Sequence, residues 1–175
     1  YALVVSGASG APEFAVRYNF WRASLVSVLR GRFGYPLDRI VELGDDPDSE
    51  PAVATSTRDN VAGALADFRR RMTKDDMLVV ILIGHGTATD SDDARFNLVG
   101  TDLTAAEWSA LIAPIPGRVV FINAASGSFP FLTKLAARGR IVMTATDALA
   151  QQTETVLPEF LFAAFLAAES DTDKN

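Results

Sequence analysis

Met77-Leu78-Val79-Val80-Ile81-Leu82-Ile83-Gly84-His85-Gly86 is the stretch on which the fold turns. Its first seven residues are all apolar, with no polar alternation of the kind a half-solvated strand shows. Such a run predicts a strand covered on both faces, as in a parallel sheet flanked by helices. Gly84 and Gly86 bracket His85, the only histidine in the chain. Imidazole is the side chain most readily tuned for proton transfer near neutral pH. Here it stands where a buried strand ends and a turn begins.

Outward from this strand, apolar runs alternate with amphipathic stretches. Residues 2–6 read as a first strand, closed by the turn-prone Ser6-Gly7-Ala8-Ser9-Gly10. Residues 12–29 are helical in pattern, with Phe14, Tyr18, Trp21 and Leu25 on one face. Residues 39–43 form a second strand, followed by an acidic loop over 44–51. Thr57 is placed to cap a helix running to about Met72, with Val61, Leu65 and Phe68 as its buried stripe. After the strand 77–83, residues 96–99 suggest a short extra strand, and Thr104 caps a helix ending near Ile112. Then come a strand over 118–123, a helix over 129–137, a strand over 140–146 and a last helix over 158–168. This alternation predicts an α/β three-layer sandwich: a mostly parallel central sheet of about five to six strands with helices on both faces. Residues 1–170 make up a single domain in this scheme.

Composition narrows the function classes. The chain has 175 residues, 49% of them apolar and 22% charged, as expected for a globular protein with a sizeable core. A net charge of -6 argues against a nucleic-acid surface, which needs clustered Lys and Arg. The one basic run, Arg69-Arg70-Arg71, suits a helix C-terminus. There is no cysteine, so disulfides, thiolate metal sites and a thiol nucleophile are excluded for this chain. No apolar run is long enough to span a membrane. No signal peptide is visible, but the chain opens on a strand pattern, from which we expect it to be part of a longer polypeptide with room for a signal upstream. A secreted or periplasmic setting is the corresponding expectation.

In parallel sheets ligands bind beyond the carboxyl ends of the strands, near the point where strand order reverses. Three small-residue turns follow strands here: 6–10, 84–87 and 124–128. They share one rim if the first, third and fourth strands are neighbours. That rim offers His85 as a base and Ser126 or Ser128 as a hydroxyl, the minimum for nucleophilic catalysis. The backbone amides of Gly86 and Ser126 are candidates to hold an oxyanion. Ser9, Glu13, Ser128 and Asp147 are candidates to line a pocket on the same rim. Turns are rich in Ser and Gly for conformational reasons as well, and an aspartate such as Asp147 is an ordinary turn residue.

The ordered set of segments resembles the caspase-hemoglobinase group of cysteine peptidases, and most of all its legumain-like branch. Those enzymes carry an apolar strand ending in His-Gly, then a second apolar strand ending in Ala-Cys. The first is matched by Val79-Val80-Ile81-Leu82-Ile83-Gly84-His85-Gly86. The second is matched by Arg118-Val119-Val120-Phe121-Ile122-Asn123-Ala124-Ala125-Ser126-Gly127-Ser128. Val4-Val5-Ser6-Gly7-Ala8-Ser9-Gly10 is similar to the family's first strand and turn. Arg140-Ile141-Val142-Met143-Thr144-Ala145-Thr146 is similar to the strand after the nucleophile. The resemblance implies a caspase-like fold and a dyad of His85 with the residue at the cysteine position.

That position holds Ser126 in the gap-free register. It holds Ala124, or Ala125 with a one-residue deletion, if Ser126-Gly127-Ser128 is aligned on the family's Ser-Gly-Ser. In every register the thiol is missing. A serine hydroxyl must lose its proton during attack, and serine triads use an acid to orient the histidine. Asp90, Asp92, Asp93 and Glu13 are the acids within sequence reach, each also readable as a loop charge or a cap. The family's asparagine-binding positions correspond to Ala124, Ala15 and Val16, all apolar, so asparagine specificity is not carried over.

Two main functions follow as expectations: a peptidase homologue without cysteine protease activity that binds a peptide or protein ligand in a regulatory role, or a hydrolase built on Ser126 and His85. A structural or homodimerising module is the third. No cofactor is expected in the domain itself. Asp171-Thr172-Asp173-Lys174-Asn175 matches the opening of a calcium loop, so Ca2+ is the one ion to consider, through Asp171, Asp173 and Asn175, if such a loop continues beyond Asn175.

Overall fold

The computed structural model describes residues 1–45, 53–90, 92–149, 151 and 153–166. In chain order the elements are β1 (Ala2–Ser6), α1 (Pro12–Gly31), β2 (Ile40–Gly44), β3 (Ala54–Thr55), α2 (Arg58–Arg71), β4 (Met77–Ile83), β5 (Gly86–Thr87), β6 (Arg95–Phe96), β7 (Leu103–Thr104), α3 (Ala105–Ile112), β8 (Arg118–Asn123), α4 (Phe129–Leu135), β9 (Arg140–Thr144) and α5 (Leu157–Leu166). The central sheet runs β3-β2-β1-β4-β8-β9, six strands with every pairing parallel among the described residues. The expected α/β three-layer sandwich is what forms.

The apolar run of β4 explains the layering. Leu78, Val80 and Leu82 pack into one core with Val61, Leu65 and Phe68 of α2, Trp108 and Ile112 of α3, and Phe131 and Leu135 of α4. Val79, Ile81 and Ile83 point the other way, into a second core with Tyr18, Trp21, Leu25 and Leu29 of α1 and Leu161 of α5. Side chains alternate across a strand, so a strand with apolar residues at every position feeds both cores at once. Burying one such Leu or Ile contributes about 2 kcal/mol. β1 divides in the same way, Leu3 and Val5 to one core and Ala2 and Val4 to the other.

The helix starts follow local chemistry. Thr57 caps α2, its hydroxyl accepting the Asn60 amide. Thr104 caps α3 in a reciprocal box with Glu107. Arg69, Arg70 and Arg71 close the last turn of α2, two of them bridged to Asp67.

Where the described elements depart from the sequence pattern, they are short. The extra strand expected at 96–99 is β6 at Arg95–Phe96, the middle of a small antiparallel sheet with β5 and β7. β3, β5 and β7 have two residues each, too few to carry a period. Residues 167–175 lie outside the described residues, and with them Asp171, Asp173, Asn175 and the calcium-loop expectation. No helix among the described residues is long and apolar enough to cross a membrane.

Candidate functional site

β1 connects through α1 to β2 on one side, whereas α2 carries the chain to β4 on the other. Strand order therefore reverses between β1 and β4, and the crevice beyond their carboxyl ends is the expected ligand position. β1, β4 and β8 are adjacent. The turns after them accordingly share one rim, as the sequence predicts.

Close backbone contact shapes this rim. The Gly7 amide donates to the Ile83 carbonyl at 2.9 Å, and the Ala8 amide donates to Asn97 at 3.1 Å. A Cβ on Gly7 would lie 2.2 Å from the Asn97 carbonyl oxygen. A Cβ on Gly86 would lie 2.3 Å from the Ser126 carbonyl oxygen and 2.8 Å from that of Arg95. Both contacts exclude a side chain, so the glycines beside the turns serve chain-to-chain approach.

His85 is half-buried. Its ring meets the edge of Phe14 at 4.7 Å between centroids, and Nε2 lies 3.1 Å from the Tyr18 hydroxyl. Tyr18 is buried, and burial followed by the nearby Glu154 carboxylate pushes its phenol well above the usual range. The phenol stays protonated and available to donate to the imidazole.

Ser126 is 2% exposed. Its hydroxyl donates to the Gly86 carbonyl at 3.0 Å and accepts the Gly86 amide at 3.1 Å. The two members of the expected dyad take different partners here. Ser126 and His85 sit on neighbouring turns, but the serine hydroxyl is spent on the backbone of Gly86 and the imidazole on Tyr18. The Gly86 amide, expected to stabilise an oxyanion, already has Ser126 as its acceptor. A closely approaching backbone offers the hydroxyl both a donor and an acceptor, which satisfies it fully in a buried place.

Ser128 also departs from its expected place as a pocket residue. It is fully buried, accepting the amides of Ala145 at 3.0 Å and Thr146 at 3.2 Å and pairing with the Thr146 hydroxyl. It clamps the turn after β8 to the end of β9. Ser9 is 8% exposed, and its amide donates to Asp45 at 3.1 Å. Glu13 is exposed in the first turn of α1, where a negative charge suits the helix dipole. Asp147 is exposed and lines an open cavity of about 340 Å³ with Phe129, Leu132, Thr144 and Gln151.

The acids that could orient His85 are occupied elsewhere. Asp93 pairs with Arg95 and accepts from Thr89. Asp92 pairs with Lys134, and Asp90 accepts the amides of Asp92 and Asp93. No group of three or more His, Cys, Asp or Glu side chains among the described residues is arranged to hold a metal ion.

Two participants escape the sequence pattern. Tyr18 reads as a core aromatic, yet its hydroxyl is the partner of His85. Arg22 is 1% exposed, donating to Ser6 at 3.0 Å and Asn19 at 2.7 Å and facing Glu42 at 3.5 Å. An arginine on the stripe of Tyr18, Trp21 and Leu25 is the signal that could have found it, since a charge among core positions is buried only with partners.

No family model matches the chain, and no curated protein matches it. Among solved structures, it is similar to protein GSU0716 from Geobacter sulfurreducens at 16% identity and a TM-score of 0.47. The alignment covers 93% of this chain and 62% of that one.

Proposed function

We propose that this chain is a caspase-like, legumain-like peptidase homologue that has given up proteolysis and binds a peptide or protein ligand across the rim of β1, β4 and β8. The observation that carries this reading is the state of Ser126: buried, and hydrogen-bonded in both directions to Gly86. A nucleophile needs its lone pair aimed at a carbonyl and its proton aimed at a base. Here both are turned to the backbone. What supports ligand binding is the half-buried His85 at the strand-order switch, with Phe14 and Tyr18 beside it.

The test is labelling. A fluorophosphonate probe should leave folded protein unmodified at Ser126, while a pooled peptide library should bind and lose affinity on His85→Ala. Labelling of Ser126 that disappears in His85→Ala would instead make the chain a serine hydrolase.

A second reading has its own observation. Among the described residues β9 pairs only with β8, and its Ile141 and Met143 are 60% and 43% exposed. An unpaired apolar edge favours pairing with another strand, so a homodimer through β9 is the alternative. Light scattering of the native chain and of Met143→Lys checks it: a dimer that becomes a monomer supports pairing, and a monomer in both removes it.

A further inference from the structure

We propose that residues 153–156 form a strap that occupies this chain's own ligand rim and must lift before a ligand can lie across His85 and the turn after β8. The proposal rests on the rim being the ligand face.

After β9 the chain folds back over the end of β8 before entering α5. Thr155 donates its hydroxyl to the Ala124 carbonyl. The Gly127 amide donates to the Gln151 carbonyl at 2.9 Å. Ala124 and Gly127 flank Ser126, so the strap and its approach hold both sides of the turn that carries the expected nucleophile. Glu154 pairs with Arg17 of α1 at 2.6 Å, and its charge is felt at Tyr18, the partner of His85. The strap thus spans from β8 to α1 across the rim. An extended ligand crossing there would compete for the same backbone donor and acceptor.

The hold is weak by construction. Thr153, Glu154 and Val156 are exposed, and Val156 is 62% so. No strap side chain belongs to either core. A cavity of about 350 Å³ is lined by Glu154, Thr155 and Val156 of the strap together with Arg17 and Trp21 of α1. An exposed ion pair and isolated hydrogen bonds favour local opening. The ends are firm, since β9 is paired to β8 and Pro158 and Leu161 of α5 are buried.

Amide exchange followed by NMR on the full chain reads the Gly127 N–H, whose acceptor Gln151 lies just before the strap. It should exchange faster than the amides inside β4 and β8. Arg17→Ala and Glu154→Gln should each speed it by about two- to five-fold, because both remove the Arg17–Glu154 ion pair. Thr155→Val should speed it independently. In a Trp108→Phe background, acrylamide quenching of Trp21 should rise in Glu154→Gln and in Thr155→Val. A Gly127 amide as slow as the core of β8, or unmoved by all three substitutions, overturns the strap. Pooled peptides that bind the native chain and Thr155→Val equally also overturn it. An opening strap with no peptide binding to either protein overturns the peptide reading of the rim instead.

Discussion

At the scale of single residues, Ser126 and Gly86 form one unit. The hydroxyl satisfies both backbone groups of the glycine, and the glycine has no Cβ because the Ser126 carbonyl stands 2.3 Å from where one would be. Ser126→Ala leaves a buried amide and a buried carbonyl without that partner and should cost roughly 1–3 kcal/mol. Gly86→Ala forces backbone against backbone and should cost about 1–3 kcal/mol or more. Urea denaturation at neutral pH checks both. A Ser126→Ala variant as stable as the parent would remove the structural role assigned to the hydroxyl, and would revive a chemical one. His85 and Ser126 were both legible from residue type and place after a strand. Their separate partners were not, because which of two nearby hydroxyls meets an imidazole depends on distances of a few ångströms between segments far apart in the chain.

At the scale of elements, α3 shows how local chemistry gives a pH-dependent contribution. The Arg58 guanidinium beside Glu107, and the Thr104 amide that its carboxylate accepts, lower this carboxyl from the ordinary 4.5 to about 2. The lowered value means that the charged form is favoured by folding. Its stabilisation is therefore full above about pH 4.5 and is lost as pH falls toward 2. The pair is partly exposed, so solvent screening limits the effect to about 1 kcal/mol. Glu107→Gln should lower the urea midpoint at pH 7 and leave it nearly unchanged near pH 2. An equal loss at both pH values would contradict the assignment. The capping box itself is readable as Thr104-x-x-Glu107. Arg58 is 49 residues from its partner in sequence, and only packing of α2 near α3 brings them together.

At the scale of the whole molecule, two cores share one sheet, and the strands differ in how much of each they see. Leu82 and Ile81 are fully buried on opposite faces of β4. Each should cost about 2–5 kcal/mol on truncation to Ala. Met143 on β9 is 43% exposed and belongs to neither core, and Met143→Ala should stay within about 0.5 kcal/mol. A large loss at Met143 in dilute monomer would mean that the edge is covered. The order of strands decides this contrast. It is not contained in the apolar pattern of β9, whose Ile-Val-Met resembles that of a central strand.

The sequence by itself determined the long elements and their layering: an unbroken apolar run such as 77–83 needs cover on both faces, and alternating strand and helix patterns supply it. It also determined where the glycine- and serine-rich turns fall and that no thiol is present. Only the tertiary structure decided what those turns do. The adjacency of β4 and β8 brings Gly86 against Ser126, α1 brings Tyr18 to His85, and the return from β9 lays Thr155 on Ala124. Each contact joins segments far apart in the chain through hydrogen bonds that depend on fractions of an ångström, and local periodicity holds no information at that range.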